Sequence, residues 1–473
     1  MKAIGIVTLG CCLLWLASPI AARSDPGSAV WVARYDGPGN FLDIGQDVAV
    51  SPDGEMVYVT GLSDAASGAG KYPLYWADYA TVAYDANTGA ERWVARHNGP
   101  GDGWDSANAI ALSPDARAVY VTGGVRGTDT RRDIGTIAYD ATDGTERWVA
   151  YWDGPKQARD SGVAVLVSPD GTRVFVAGRS DQVRGPESFV TIAYDAATGE
   201  QLWTQRVNEC GHRAVAWAAA QSPDGSAVFV TGWEAGCGRI QARTVALDAT
   251  TGGLLWSEAS SQPVAGYAIA ISNRSVFITG TGRNGFDTVA YDAATGETQW
   301  LAGLDPQPRY GEAWSVAVSP DGRRVFVTGL AQWRPFSGCY YRDDYTTVAY
   351  DSATGAQIWL KRYNGPGRGE DFAQSIGMSP DGATVYVTGE SSGFGGVFSC
   401  RTGDPRTGQD YATVAYEAGT GDRLWVERYD SPERGLYDRA RALAVSPDGA
   451  VYVTGEGHGG GYRDYATIKY PTA

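Results

Sequence analysis

The chain has 473 residues, 43% of them hydrophobic and 20% charged, which is the balance of a globular protein even though 63 residues are glycine. Its formal net charge of −15 argues against a nucleic-acid partner, because such binding depends on a basic surface that neutralises phosphates. The length would allow several domains, but a repeat fold can use all of it as one unit.

The first 22 residues are typical of a secretion signal. Lys2 supplies the positive charge, Ile4 to Leu16 form an apolar core, and Ser18 to Ala22 provide a small-residue cleavage site. The core is short for a membrane span and no later segment is long enough, so we expect no transmembrane segment. We predict cleavage after Ala22 and a mature chain, residues 23–473, that is secreted or periplasmic. A lipid anchor is a minor alternative, because Thr8-Leu-Gly-Cys11 is a poor lipid-attachment motif.

An eleven-residue stretch, Ala83-Tyr-Asp-Ala-Asn-Thr-Gly-Ala-Glu-Arg-Trp93, recurs along the chain. Each copy has a β run before the acid, a turn built on Thr-Gly (Asp143-Gly144 in the second copy), and a second β run that carries the tryptophan. The stretch therefore predicts a hairpin that is repeated seven times. The tryptophans of the other copies are Trp148, Trp203, Trp256, Trp300, Trp359 and Trp425.

A second marker, Ser51-Pro-Asp-Gly54, recurs in step with the hairpin. Proline at its second position and glycine at its fourth suit a type I turn between two strands. The fifth unit keeps only a worn version, Ser272-Asn-Arg-Ser275. Each unit thus holds four short strands, and eight such units at roughly even spacing predict an all-β, eight-bladed β-propeller with four antiparallel strands per blade.

The chain ends indicate how the ring closes. The eighth unit stops after its third strand, Tyr465 to Tyr470, without a tryptophan strand. The missing strand is found near the N-terminus, at Ala29 to Tyr35, and it carries Trp31. We therefore expect the N-terminal strand to complete the last blade, which removes the unpaired sheet edges of an open array.

The pattern Ala-x-Asp-x-x-Thr-Gly-x-x-x-Trp resembles the tryptophan-docking motif of quinoprotein alcohol dehydrogenases and other PQQ-like eight-bladed propellers. That group includes outer-membrane assembly lipoproteins that bind no quinone. The resemblance covers essentially the whole mature chain, with departures at Asp143 and Glu417, and it implies that each tryptophan packs between neighbouring blades. It leaves the activity open, since the fold hosts both enzymes and binding proteins.

Topology predicts two unlike faces. The two kinds of short turn lie on one face, and the longer, variable connections open on the other, where function is normally carried. Aromatic residues are abundant in or beside these variable connections, and Trp76, Trp233 and Trp333 are candidate ligand-binding residues. The alternative is that they only pack the long loops against the propeller.

One position in each innermost strand is variable where its neighbours are mostly Ala, Val or Ile. It lies five residues before each marker serine and combines polar and aromatic groups around a central opening, as a ligand site requires. The alternative is a plug of the channel mouth. Around the ring this position reads Gln46, Asn108, Val163, Trp217, Tyr267, Trp314, Gln374 and Arg441.

Aspartates also recur in two sets. One lies eight residues before the marker: Asp43, Asp105, Asp160, Asp371 and Asp438. The other begins the third strand: Asp78, Asp133, Asp344, Asp410 and Asp464. Recurrence around a ring favours a structural role, either capping turns or pairing with arginines. Calcium binding or acid–base catalysis is the alternative, and we expect no metal site.

Four cysteines remain after the predicted signal, and export makes disulfides the expected state. Cys339 and Cys400 lie in long loops of neighbouring blades, and Cys210 and Cys237 lie in or beside the fourth blade. Because bridged Cα atoms must lie within about 7 Å, we expect the pairs Cys210–Cys237 and Cys339–Cys400.

The functional hypothesis is an exported, monomeric binding or scaffolding module that recognises a protein or a carbohydrate-like ligand through its loop-rich, aromatic face. The alternative is an enzyme acting in the central mouth, either a PQQ-dependent oxidoreductase or a lyase or hydrolase on a carbohydrate-like substrate. PQQ with calcium is the less favoured option. The dehydrogenases that the chain resembles carry a vicinal cysteine pair beside the quinone, and residues 23–473 have none.

Overall fold

The structure is a computed structural model that describes residues 28–39, 41–64, 76–128, 131–155, 158–182, 185–260, 265–282, 285–333, 343–367, 369–392, 408–432, 437–459 and 462–473. The predicted signal over residues 1–22 lies outside the described residues. Within these ranges all the regular elements are β-strands, so none of them is a helix that could span a bilayer.

The described strands form eight four-stranded antiparallel sheets arranged in a ring, which confirms the predicted eight-bladed propeller. The chain enters through β1 (Trp31–Tyr35). Blade 1 then contains β2 (Asp43–Val50), β3 (Met56–Asp64), β4 (Ala77–Asp85) and β5 (Glu91–His97). Blade 2 contains β6 (Ser106–Leu112), β7 (Ala118–Val125), β8 (Asp133–Asp140) and β9 (Glu146–Trp152). Blade 3 contains β10 (Asp160–Val167), β11 (Arg173–Gln182), β12 (Gly185–Asp195) and β13 (Gln201–Val207).

The next blades repeat this order from the centre outwards. Blade 4 contains β14 (Ala214–Gln221), β15 (Ala227–Ala235), β16 (Ile240–Asp248) and β17 (Leu254–Ala259). Blade 5 contains β18 (Ala265–Ile271), β19 (Ser275–Gly282), β20 (Gly285–Asp292) and β21 (Thr298–Gly303). Blade 6 contains β22 (Tyr310–Val318), β23 (Arg324–Gln332), β24 (Asp343–Asp351) and β25 (Gln357–Tyr363). Blade 7 contains β26 (Asp371–Met378), β27 (Thr384–Ser392), β28 (Gln409–Glu417) and β29 (Arg423–Tyr429).

Blade 8 is assembled from both ends of the chain, as predicted. It contains β30 (Arg439–Val445), β31 (Val451–Gly459) and β32 (Tyr462–Tyr470), and β1 forms its outer strand. The register pairs Trp31 with Lys469 and Tyr35 with Tyr465. Innermost strand β2 of blade 1 in turn packs against blade 8, so the ring is closed.

The repeated tryptophans join neighbouring blades. Trp93 of blade 1 donates its indole N–H to the carbonyl of Ala141 in blade 2 at 3.1 Å, and its ring covers Gly144 of the adjacent Asp143-Gly144 turn. The same bond is made to the next blade by Trp31, Trp148, Trp203, Trp256, Trp300 and Trp359. Trp425 is the exception, because its buried N–H has no acceptor among the described residues. The motif is thus the inter-blade contact that the resemblance implied.

The marker turns close as the sequence predicts. In Ser51 to Gly54 the N–H of Gly54 donates to the carbonyl of Ser51 at 2.8 Å. The Ser51 hydroxyl also accepts the N–H of Met56 at 2.9 Å, which fixes the start of β3. These turns and the Thr-Gly turns lie on one side of the propeller, here called the turn face. The opposite side is called the loop face.

Candidate binding site

The eight variable positions of the innermost strands share one structural feature. Each is the extra residue of a β-bulge, so it has no partner in the ladder with the second strand. We call these eight residues the bulge ring: Gln46, Asn108, Val163, Trp217, Tyr267, Trp314, Gln374 and Arg441. A bulge re-aims one side chain and offsets the register by one residue, after which the pairing of the two strands continues. This explains why the side chain at this position varies while most of its neighbours stay small.

Three consecutive members of the bulge ring form an aromatic arc. Tyr267 and Trp314 stack with centroids 4.7 Å apart and planes inclined by 8°. Trp217 meets Tyr267 edge to face at 5.6 Å and leaves 44% of its surface exposed. The arc therefore spans blades 4, 5 and 6 and offers aromatic surface where the fold leaves a large side chain exposed.

The remaining part of the bulge ring is mostly polar. Arg441 donates to the side-chain oxygen of Gln46 at 3.4 Å and to Glu456 at 3.1 Å, which links blades 8 and 1. Asn108 donates its amide to the hydroxyl of Ser161 and the carbonyl of Gly162 in blade 3, at 3.2 and 2.8 Å. Gln374 has no hydrogen-bond partner among the described residues. The ring thus places hydrogen-bonding groups opposite the aromatic arc.

The other predicted ligand-binding tryptophans lie outside the arc. Trp233 is covered by the guanidinium of Arg213, 5.3 Å from its ring centre. Trp333 is covered by Arg362 at 4.8 Å and donates its N–H to Thr346 at 3.0 Å. Trp76 precedes β4 and is 36% exposed. The aromatic loop residues at 72, 75, 336, 340, 341, 394 and 398 lie outside the described residues.

The first set of repeated aspartates caps the connections between blades. Each is buried and accepts the backbone N–H of a residue six or seven positions earlier, as in Gly154 to Asp160 at 2.9 Å and Ser431 to Asp438 at 2.7 Å. Burial raises the pKa of Asp43, Asp105, Asp160 and Asp371 to about 6, although the backbone N–H groups that they accept lower it. These carboxylates hold the connections in place.

Four of the five aspartates of the second set pair with arginines of the outer strands. Arg428 donates to Asp410 at 2.7 Å, and Arg34 donates to Asp464 at 2.7 Å. Arg96–Asp78 and Arg362–Asp344 repeat the pair in other blades. The structure therefore favours the structural role over a catalytic one for both sets.

Carboxylates also gather in three clusters of three aspartates, each at a blade junction. Within each cluster, one oxygen of every aspartate lies within 4.8 Å of the others: Asp36, Asp43 and Asp464; Asp133, Asp153 and Asp160; Asp410, Asp430 and Asp438. Each group includes a capping aspartate.

The disulfide Cys210–Cys237 is present, with Cα atoms 5.1 Å apart, which confirms the first predicted pair. Cys339 and Cys400 lie outside the described residues. The bridge joins the entry of blade 4 to the connection after β15, beside a hollow of about 460 Å³ on the loop face. That hollow is lined by Gly185, Pro186, Glu187, Gly211, His212 and Arg213.

The turn face carries a feature that the sequence reasoning missed. In several blades the proline of one marker turn packs against the glycine of the next, as Pro114 does against Gly171. The shortened turn of blade 5 has neither residue, and grooves of about 570 and 630 Å³ border it on two sides. The worn marker Ser272-Asn-Arg-Ser275 was the sequence signal for this missing proline–glycine contact. Arg274 lines both grooves, and its guanidinium has no described partner.

Comparisons with known proteins give the same fold. The sequence profile of the family described as outer membrane protein assembly factor BamB matches residues 132–215, 186–300 and 285–463. Quinohemoprotein alcohol dehydrogenase ADH IIB of Pseudomonas putida is 33% identical over 210 residues, and this match covers 40% of the chain and 29% of that protein. The chain therefore spans less than a third of the length of this relative.

Two solved structures superpose over nearly all of the chain. BamB from Moraxella catarrhalis has a TM-score of 0.51 at 15% identity, covering 94% of this chain and 100% of that one. Quinohemoprotein alcohol dehydrogenase from Comamonas testosteroni has a TM-score of 0.58 at 14% identity, covering 93% and 76%. At such identities the likeness shows the fold alone. Because the profile matches span most of the sequence, the chain belongs to the PQQ-like propeller family described as outer membrane protein assembly factor BamB.

Proposed function

We propose that this protein is a binding propeller that holds a carbohydrate-like ligand over the bulge ring on its loop face. The aromatic arc is the observation that carries the proposal. Three rings from three separate blades are in contact, and Trp217 remains 44% exposed. Exposed aromatic faces stack on the C–H faces of sugars, and the amides and the guanidinium across the ring suit sugar hydroxyls.

The composition of the bulge ring favours binding over catalysis. Its eight members are Gln, Asn, Val, Trp, Tyr, Trp, Gln and Arg, so the ring itself contains no carboxylate, histidine, serine or cysteine. General acid–base or nucleophilic catalysis uses such a group, or a tyrosine, within hydrogen-bonding reach of the substrate, and the one tyrosine of the ring, Tyr267, is stacked on Trp314. The ring supplies stacking and hydrogen bonds, which are the means of recognition.

We also propose that the protein works outside the cytoplasm, as a monomeric single domain over residues 23–473. The disulfide Cys210–Cys237 supports this, because such bonds persist in oxidising compartments. The family description, with its reference to the outer membrane, agrees with export. Mass spectrometry of the mature N-terminus and size-exclusion chromatography test cleavage after Ala22 and the monomeric state.

The test of ligand binding is a glycan array probed with the full mature chain and with arc variants. We expect Trp217→Ala and Tyr267→Ala to lose binding to the glycans that the unaltered protein retains. Leu301→Ala is the control, since Leu301 is 45% exposed on outer strand β21, away from the arc, and it should bind as before. An unaltered protein that binds no glycan, or arc variants that bind normally, would refute the proposal.

The second candidate function is a quinone-dependent oxidoreductase, which the 33% identity to ADH IIB of Pseudomonas putida favours. The described residues fit a quinone poorly. The disulfide joins cysteines 27 positions apart rather than a vicinal pair, and the carboxylate groups that could hold a cation include aspartates that cap blade connections. Reconstitution with PQQ and calcium, followed by an assay of dye-linked alcohol or sugar oxidation, distinguishes the two functions. Saturable turnover would favour the enzyme.

A further inference from the structure

Three arginines from two neighbouring blades meet at the loop-face ends of their strands. Arg132 precedes β8 and Arg159 precedes β10, and the two form a parallel β-bridge. The adjacent N–H of Asp160 donates to the carbonyl of Arg132 at 2.7 Å, which holds the two segments together. Arg179 of β11 lies opposite Ser161 in the neighbouring strand, and Ser161 follows Arg159 by two positions. We call Arg132, Arg159 and Arg179 the arginine cluster.

None of the three arginines forms an ion pair with a described residue, although Asp105 and Asp181 lie near them and a group of three aspartates lies at the same blade junction. Arg159 and Arg179 form no ion pair and donate no side-chain hydrogen bond to any described residue. Among the described residues, Arg132 donates a side-chain hydrogen bond only to the carbonyl of Trp104, at 3.3 Å. Burial lowers the pKa of Arg132, and the nearby charges of Arg179 and Arg159 lower it further against the opposing effects of Tyr79 and Asp105. Asp181 lies near Arg159 and Arg179 but pairs with neither.

Blade 8 shows the opposite arrangement and serves as an internal comparison. There Arg441 and Arg463 both bind the buried carboxylate of Glu456, at 3.1 and 3.0 Å. Arg439 of the same blade binds Glu390 of blade 7 at 2.6 Å. In a chain with a net charge of −15, a group of like charges without such partners is a ready site for an anion.

The cluster adjoins the bulge ring. Ser161, which lies opposite Arg179, accepts a hydrogen bond from Asn108 of the ring at 3.2 Å. Blade 3 in turn packs against blade 4, which carries Trp217. Positive charge over blades 2 and 3 therefore continues into aromatic surface over blades 4 to 6. A polysaccharide that bears carboxylates presents the matching pair of features, acidic groups and flat C–H faces, along one chain.

We propose, building on the function above, that the ligand is an acidic polysaccharide whose carboxylates bind the arginine cluster while its sugar rings stack on the aromatic arc. An acidic polypeptide would match the charge, but the bulge in each innermost strand interrupts the regular backbone edge that strand addition uses. Guanidinium–carboxylate pairs can be bidentate, which gives geometric selectivity as well as attraction.

The experiment is calorimetric titration of the full mature chain with polygalacturonate and with the same polymer after methyl esterification, which removes the charge but keeps the sugar. We expect the acidic polymer to bind at least about tenfold more tightly, since one charge-assisted hydrogen bond contributes that much. Arg159→Gln combined with Arg179→Gln should remove this preference. Arg274→Gln is the matched control, an exposed arginine without a described partner on the turn face, and it should keep the preference.

The outcomes separate this inference from the proposed function. If the double variant keeps its preference for the acidic polymer, the inference is wrong, and loss of binding of both polymers in Trp217→Ala would still support the function. If the unaltered protein binds neither polymer, both fail. If polyglutamate binds as tightly and competes, the ligand is an acidic polypeptide and the assignment is overturned. Should the double variant not fold, added salt must abolish the preference in the unaltered protein, and its persistence would refute the inference.

Discussion

At the scale of the residue, the propeller depends on a repeated contact between one tryptophan and one glycine. The glycine of each Thr-Gly or Asp-Gly turn has a positive φ, +75° at Gly144, which glycine adopts without steric cost. The tryptophan of the preceding blade covers that glycine, so that a Cβ on Gly144 would lie 2.6 Å from the Trp93 ring. Glycine is therefore required at this position for two reasons: the turn needs a positive φ, and the tryptophan of the neighbouring blade leaves no room for a Cβ.

Two glycine substitutions separate these requirements. Gly211 has a similar φ of +70°, but a Cβ there would meet nothing within 4 Å. We expect Gly211→Ala to cost about 1–2 kcal/mol, the price of a left-handed residue. Gly144→Ala should cost about 1–3 kcal/mol more, because the Trp93 ring must move. Urea unfolding of both variants measures the difference, and equal midpoints would show that the ring adjusts freely.

The indole hydrogen bond can be measured in the same way. Trp148 donates to the carbonyl of Ala196 at 3.0 Å, whereas Trp425, buried to the same extent, has no described acceptor. Both substitutions to phenylalanine remove similar ring area, so their difference isolates the hydrogen bond. We expect Trp148→Phe to lower the free energy of unfolding by about 1 kcal/mol more than Trp425→Phe. The reverse order in denaturant titrations would contradict this.

At the scale of the element, β1 is the strand that closes the ring. It pairs with β32 along its whole length, and Trp31 donates to the carbonyl of Ala86 in blade 1 at 3.1 Å. Its aromatic ring packs against Tyr84 of blade 1 and Tyr452 of blade 8, with centroids 6.3 and 5.9 Å away. One short strand thus completes blade 8 and joins it to the first blade.

Removal of residues 23–36 should therefore destabilise the whole propeller. Loss of the Trp31 packing alone should cost about 3–5 kcal/mol, and the exposed edge of β32 should add a tendency to aggregate. The control is removal of residues 23–28, which leaves β1 intact and should melt like the full mature chain. Thermal unfolding compares the two. Equal melting temperatures for both truncations would mean that β1 does not secure the ring.

At the scale of the whole molecule, aspartates of two kinds set the response to pH. The capping aspartates Asp43, Asp105, Asp160 and Asp371 have pKa values raised from 3.8 to about 6, chiefly by burial. The turn aspartates Asp170 and Asp224 have pKa values lowered to about 2, chiefly by hydrogen bonds from serine hydroxyls. The capping aspartates therefore bind protons more tightly in the native state than in the unfolded chain, and the turn aspartates bind them less tightly.

We therefore expect the free energy of unfolding to rise as pH falls from about 7 towards 5. In this window the native state binds protons at the capping aspartates that the unfolded chain does not bind. Below about pH 4 the sign reverses, because the unfolded chain takes up protons that the turn aspartates in the native state do not. Denaturant unfolding at a series of pH values measures both limbs. Asp105→Asn should flatten the upper limb, and an unchanged slope would show that Asp105 does not titrate there.

Sequence repetition by itself was sufficient to predict the fold. The strand order, the eight blades, the turns, the docking tryptophans and closure through Trp31 all follow from local patterns that repeat. Each copy independently predicts the same strand–turn–strand unit, and four adjacent residues are enough to identify its turn. The pairing Cys210–Cys237 also followed, because the topology places both cysteines at one blade.

The nature of the candidate site was decided only by the tertiary structure. The sequence marked Trp217, Tyr267 and Trp314 as variable, but a bulge is a register offset between two strands and leaves no signature in one strand alone. Whether these rings touch depends on the angle between blades, which no residue spacing records. The arginine cluster was missed for the same reason, since Arg132, Arg159 and Arg179 hold no common position in the repeat and are brought together by the packing of blade 2 against blade 3.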